Sequence, residues 1–370
     1  MVYLTPIHSA ETSATALDCV HPITDVSLLI CHELRTPLTS INGALKLLGY
    51  QQNGTLSDDA QRLLTIAINN ADRLTRLANA LENQAVPLLT LLSTTEMDLL
   101  QIENDLHRAV EQQQFELAYQ PIVAADSGQI VGFEALARWQ HSTRGEISPE
   151  VFIPLAEKTG LIGTLGRSLL DQACQQLRQW QTEFPAIPAL SISVNLSAVQ
   201  LLQPQLVAEV DAILRRHHLD PSSLKLEVTE SALIDNKDLA LATLADLHQL
   251  GIQLYIDDFG TGYSSLGRLR DLPFDTLKID RSFIRNKNWA MSEAILMMAE
   301  RLNLDVIVEG VETLDDVLTL RSLGCKKMQG YYFSAPAAAA DIAALLGQQG
   351  GGRCFQVDPP VLGAVLDANF

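Results

Sequence analysis

Residues 115–139 read FELAYQPIVAADSGQIVGFEALARW. Two runs rich in β-branched and aromatic residues flank AADSGQ, a link of only six residues. A parallel crossover takes a dozen residues or more, so these two strands must run antiparallel. Further along, LSISVNLS, LKLEVTES, GIQLYIDDF, FDTLKIDRS, LDVIVEGVE and KKMQGYYFS alternate with helical stretches such as GRSLLDQACQQLRQWQTEF and SEAILMMAERLN. Eight strands with intervening helices over about 240 residues predict an α/β fold, a (β/α)8 barrel of the TIM type with an antiparallel first strand.

The ends of these strands carry polar residues: Glu134, Asn195, Glu227, Asp257 and Asp258, Lys278, Glu309 and Gln329. A strand alternates its faces, so Lys225, Glu227 and Thr229 share one side and Leu224, Leu226 and Val228 the other. The apolar side meets the helices, which sends the charged side into the barrel, where an unpaired carboxylate is costly. Only Lys278 and Arg138 are obvious counter-charges. Divalent cations on oxygen ligands, with Asn195 as a neutral one, answer the excess of acid. Two such cations suit in-line displacement at phosphorus, with Lys278 orienting the water or stabilising developing charge. Spacing alone stops at metal-assisted hydrolysis of a phosphate ester; a carbon-acid reaction of the enolase kind stays open on these grounds.

In that order, FEALARW, VNLS, LEVTES, IDDFGTGYSSL, LKID, VEGVET and MQGYYFS resemble the EAL family of cyclic di-GMP phosphodiesterases over nearly two-thirds of the chain. The resemblance implies hydrolysis of one ester of cyclic di-GMP to linear pGpG with two Mg²⁺ or Mn²⁺ ions. It implies metal ligation by Glu134, Asn195, Glu227, Asp257, Asp258 and Glu309, with Lys278 assisting the attacking water. Glu134, Asp257, Lys278 and Glu309 are then the catalytic set. Leu136 completes the signature triplet, Arg138 meets a substrate phosphate, Gln329 lines the site, and Glu230 steadies the glycine-rich, mobile loop after Asp258. Since none of these ligands is missing, an active enzyme is expected over a silent cyclic di-GMP sensor or scaffold. The DFG here has no kinase partner motifs.

Upstream, ICHELRTPLTSINGALKLL (30–48) opens two helical seams. Leu34, Leu38, Ile41, Leu45 and Leu48 form one; Leu64, Ala67, Ala71, Leu74, Ala78 and Leu81 form the other. Two helices alone bury little surface, so the hairpin is expected to pair with a copy of itself in a dimeric four-helix bundle. HELRTPL resembles the H-box of the histidine-kinase dimerisation and phosphotransfer domain, with His32 as the phosphoacceptor. No ATP lid or asparagine box follows, so the phosphate would come from a histidine kinase or response regulator in trans. The resulting division is a flexible arm (1–22), the hairpin (23–85), a linker (86–106), the barrel (107–346) and a tail (347–370).

The bulk numbers agree. A formal charge of −18 excludes a general nucleic-acid binder, and 47% apolar residues allow a large core. Five scattered cysteines without zinc spacing fit a reducing compartment. With no signal peptide and no apolar run long enough to span a bilayer, a cytoplasmic location is expected. The histidines other than His32 show no ligand spacing and read as ordinary surface or helix positions.

Overall fold

The computed structural model describes residues 94–187, 190–233, 237–260, 272–352 and 354–357. The expected arm, the hairpin with His32, the start of the linker (86–93), the loop from Thr261 to Asp271 and the end of the tail (358–370) lie outside the described residues. The chain divides into two compact units, residues 1–102 and 103–370, and the second holds the barrel.

Its strands are β1 (Phe115–Ala124), β2 (Ile130–His141), β3 (Gly145–Ile147), β4 (Ser191–Asn195), β5 (Leu224–Thr229), β6 (Gln253–Phe259), β7 (Thr276–Ile279), β8 (Asp305–Val308) and β9 (Lys327–Met328). The helices are α1 (Thr94–Glu111), α2 (Pro149–Thr159), α3 (Ile162–Glu183), α4 (Ala198–Leu201), α5 (Leu206–Arg216), α6 (Lys237–Gln249), α7 (Arg281–Arg285), α8 (Trp289–Arg301), α9 (Leu314–Ser322) and α10 (Ala339–Gly350). Strand β1 pairs antiparallel with both β2 and β9, while β2 and β4 through β9 run parallel, so the sheet closes on itself. This is the expected eight-stranded barrel with its reversed first strand. Strand β3, which the sequence did not announce, folds back antiparallel on the end of β2 as a short hairpin.

Alternation along β2 sorts its side chains. Phe133, Ala135 and Trp139 are buried in the layer beneath the helices, whereas Glu134, Leu136 and Arg138 take the other face. Helix α3 buries Leu165, Leu169, Ala173, Leu177 and Trp180 at steps of three and four, the stripe an amphipathic helix needs. Trp180 sets its ring 4.8 Å from both Tyr119 and Phe133, locking α3 over β1 and β2. Local chemistry marks the ends of α2: Ser148 caps it, Pro149 opens it, and Gly160 closes it in the left-handed conformation. His141 and His217 are largely covered, pairing with Asp105 on α1 and Asp171 on α3. Helix α10 runs on through Gly350 into the expected tail, and residues 354–357 lie against the barrel. There Phe355 donates to the Gly128 carbonyl, and Val357 is buried with its carbonyl accepting from Arg321. Among the described residues no helix is long and apolar enough to cross a membrane.

Gly330, next to Gln329, shows how tightly the β9 end is held. Val311 donates to the Gln329 carbonyl, Tyr332 donates back to the Val311 carbonyl, and a Cβ on Gly330 would collide with the Val311 backbone. Gly330→Ala should therefore cost about 1–3 kcal/mol, read as a lowered Tm in a thermal melt. An unchanged Tm would show that the two segments are free to separate.

Candidate active site

Lys278, on β7, points into the barrel and is fully buried. Its Nζ lies 2.5 Å from Glu227 on β5, 2.6 Å from Glu309 after β8, 3.2 Å from Glu134 on β2 and 3.3 Å from Asp257 on β6. Four acids far apart in sequence thus meet at one ammonium, because each stands near the carboxyl end of a parallel strand, on the inward face. Two amides complete the ring around Glu134. Asn195 Nδ2 donates to its Oε1 at 2.9 Å, and Gln329 Nε2 donates to its Oε2 at 2.7 Å.

One member of the cluster escaped sequence reasoning. Gln120 on β1 stands opposite Glu134 in register, accepts from Gln329 Nε2 at 3.0 Å and donates to the Ser334 carbonyl at 3.1 Å. The reversed first strand was the available signal: pairing β1 against β2 brings this buried polar residue beside Glu134.

The remaining expected residues sit around this centre. Asp258 follows Asp257 at an irregularity in the β6–β7 pairing, with φ 55°, a left-handed conformation, and is exposed. Leu136 is half-buried on the same face of β2 as Glu134. Farther along that face, Arg138 pairs its Nε with Glu146 of β3 at 3.2 Å. Glu230 opens the 3-10 turn after β5.

The electrostatics divide the acids. Burial raises the Glu134 carboxyl, but the Lys278 ammonium and the amides of Gln329 and Asn195 outweigh it and hold it below the usual range. Burial, then repulsion by Glu134, drives Glu227 well above that range. Burial also lifts Glu309 to about 7 against the pull of Lys278. Asp258, exposed as a residue but partly desolvated at its carboxyl, is raised by that desolvation and by Asp257. For Lys278, burial lowers the pKa, yet the attraction of Asp257, Glu134, Glu227 and Glu309 leaves it well above its ordinary value. It stays an ammonium.

Sequence reasoning expected cations, not lysine, to neutralise these acids, and Lys278 in fact touches all four. One ammonium still cannot balance four carboxylates. Among the described residues, no three acidic, histidine or cysteine side chains stand ready in a metal-binding arrangement. However, Glu227 Oε1 and Asp257 Oδ1 are buried without a hydrogen-bond partner. Asp257 Oδ1 still faces the Lys278 ammonium at 3.3 Å, so Glu227 Oε1 is the clearer case. Buried carboxylate oxygens seldom stay uncompensated, and an all-oxygen donor set with surplus negative charge fits a hard divalent cation.

Replacing Lys278 by Met strips the acids of their counter-charge. Breaking a buried pair from one side costs about 3–5 kcal/mol. Glu309 and Glu227 already take up protons on folding. The stability they contribute is full below the ordinary value of 4.5 and is lost as pH rises through their raised folded values, about 7 for Glu309. Lys278→Met should lower Tm far more at pH 7.5 than at pH 5. Equal losses at both pH values would contradict this account of the cluster.

Comparison with known proteins places the chain. The model of the EAL domain matches residues 103–336, and that of the His Kinase A (phospho-acceptor) domain matches residues 29–85. The bifunctional diguanylate cyclase/cyclic di-GMP phosphodiesterase MucR of Pseudomonas aeruginosa is 43% identical over 258 residues, covering 68% of this chain and 37% of that protein. The cyclic di-GMP phosphodiesterase NbdA of the same organism is 43% identical over 269 residues, 71% of this chain and 33% of its own length. The chain thus spans about a third of the length of these relatives. Among solved structures, the MucR phosphodiesterase in complex with c-di-GMP is 44% identical, with a TM-score of 0.62 over 65% of this chain and 99% of that one. The EAL enzyme Bd1971, in its cAMP-bound form, is 31% identical, with a TM-score of 0.65 over 79% of this chain and 76% of that one. With its barrel matched over more than half the chain, this protein belongs to the EAL domain family.

Proposed function

We propose that the chain is a metal-dependent phosphodiesterase that hydrolyses cyclic di-GMP to linear pGpG. The observation that carries this reading is the convergence of four carboxylates, Glu134, Glu227, Asp257 and Glu309, on the single ammonium of Lys278, with Glu227 Oε1 buried and without a hydrogen-bond partner among the described residues. The solved MucR phosphodiesterase, whose complex holds c-di-GMP, supplies the substrate class.

Glu134, Asn195, Glu227, Asp257, Asp258 and Glu309 would hold two Mg²⁺ or Mn²⁺ ions. Bound there, such ions supply Lewis acidity and a bound water of lowered pKa. The rest falls to the protein. Asn195 spends its amide nitrogen on Glu134, so its oxygen is the atom that would face a cation. Gln329 and Asn195 keep Glu134 ionised and fixed in orientation. Lys278, held protonated, orients the attacking water and offsets negative charge as it develops on phosphorus oxygens. Arg138 takes a phosphate of the substrate, and Leu136 lines the approach. The water oxygen bonds to phosphorus as one P–O ester bond breaks, and of the water's two protons one ends on the departing ribose oxygen while the other stays on the new phosphate hydroxyl or passes to solvent. Opening a single ester of the ring leaves linear pGpG.

The N-terminal match adds a regulatory reading. A homodimeric bundle built on residues 23–85 would set the barrel's activity, with phosphate placed on His32 by a kinase or response regulator in trans altering its packing. Purified full-length protein with His32→Ala should then lose phosphate labelling and change its rate. If labelling, dimerisation and rate all stay as in the unaltered protein, His32 has no such role.

Incubation with cyclic di-GMP and Mg²⁺ or Mn²⁺ should yield pGpG, and Glu134→Ala should abolish turnover with the fold intact by circular dichroism. Tight binding without product would make the barrel a sensor instead. Independently of turnover, either ion at 100 times its Kd should stabilise the protein by about 2.7 kcal/mol, and Glu227→Gln should remove most of that gain. A melt indifferent to both ions would count against metal ligation.

A further inference from the structure

The Arg138 guanidinium is held at two of its three nitrogens. Nε faces Glu146 Oε1 at 3.2 Å across the β2–β3 hairpin, and Nη1 donates to the Ala137 carbonyl at 2.9 Å. Hairpin register puts Glu146 opposite Gln140, two residues beyond Arg138 on the neighbouring strand, close enough for the carboxylate to reach back to the guanidinium. Arg138 itself lies four residues along from Glu134 on the same face of β2, on the strand leading out of the acid cluster. Side-chain exposure is 24% for Arg138 and 52% for Glu146, so the pair sits at the water boundary and not in the core. A long, rotamer-rich arginine in such a place samples many orientations unless something holds it, and each must be given up when a phosphate binds. With Nε and Nη1 engaged, Nη2 is the guanidinium nitrogen without a partner among the described residues and the donor for an incoming anion.

We propose that Glu146 is a positioning residue for the substrate, holding Arg138 so that Nη2 is presented to a phosphate of the bound nucleotide. The inference rests on the phosphodiesterase reading above and extends it to a residue outside the acid cluster and its amides. Glu146 touches neither the acids nor Lys278 and therefore acts on binding, not on the chemical step. A carboxylate beside a phosphate site would repel the ligand if repulsion were its main effect. The two roles thus predict opposite changes in KM.

The test is a double-mutant cycle on the full-length protein with cyclic di-GMP and Mg²⁺, reading KM, kcat and, by calorimetry, Kd. Glu146→Ala should raise KM and Kd about threefold and leave kcat within twofold, a shift typical of an exposed charge pair. Arg138→Ala should raise KM further, and adding Glu146→Ala to it should change nothing more. A KM that is unchanged or lower in Glu146→Ala overturns the proposal. So does an equal rise in the Arg138→Ala background, which would mean that the hairpin, not the arginine, carries the effect. An unaltered protein that neither binds nor cleaves cyclic di-GMP would instead sink the phosphodiesterase reading itself, and is told apart by that first measurement.

Discussion

The Lys278 ammonium is buried among four carboxylates, and most of the barrel's upper end is arranged around it. Such a cluster is costly to remove from water, and one positive charge does not neutralise it. The fold answers in two ways. Amides from Asn195, Gln329 and Gln120 solvate Glu134 and each other, so one carboxylate stays firmly ionised. Glu227 and Glu309 respond by rising toward protonation. The cluster therefore gathers acid groups whose charge states are set by burial and by one another, a common feature of sites where chemistry is done.

Holding the cluster requires strand ends that do not drift. Trp180 and its aromatic neighbours pin α3 to β1 and β2, and the Gly330–Val311 contact pins the β9 end beside β8. The left-handed backbone at Asp258 lets two consecutive acids stand at one rim, where regular alternation would turn the second away. At the outer edge, β3 folds back on β2 and brings Glu146 to Arg138. The stiff parts of the molecule carry the acids; the more exposed parts carry the groups proposed to meet the substrate.

Much of this is legible in the sequence alone. The six-residue link from Ala124 to Gln129 forces a reversed first strand, and period-two alternation in LKLEVT puts Glu227 inside. What the sequence hid is mostly pairwise. Nothing local says that Lys278 contacts all four acids at once, because the distances depend on barrel closure. Gln120 reads as one polar residue in an apolar run until the β1–β2 register is drawn. Strand β3 has only three residues, GEI, too short for a periodic signal. Its role follows from the hairpin geometry, which a residue pattern does not encode. His141 and His217 likewise look like surface positions, and only packing brings Asp105 and Asp171 over them.

The central claim is that the acids around Lys278 exist to take divalent ions. Anomalous diffraction from crystals soaked in Mn²⁺ measures this most directly. The account predicts manganese peaks within bonding distance of Glu134, Glu227, Asp257 and Glu309 oxygens, with Glu227 Oε1 and Asp257 Oδ1 among the ligands. Well-ordered crystals with no peak there, and the four carboxylates still gathered on Lys278 alone, would contradict it.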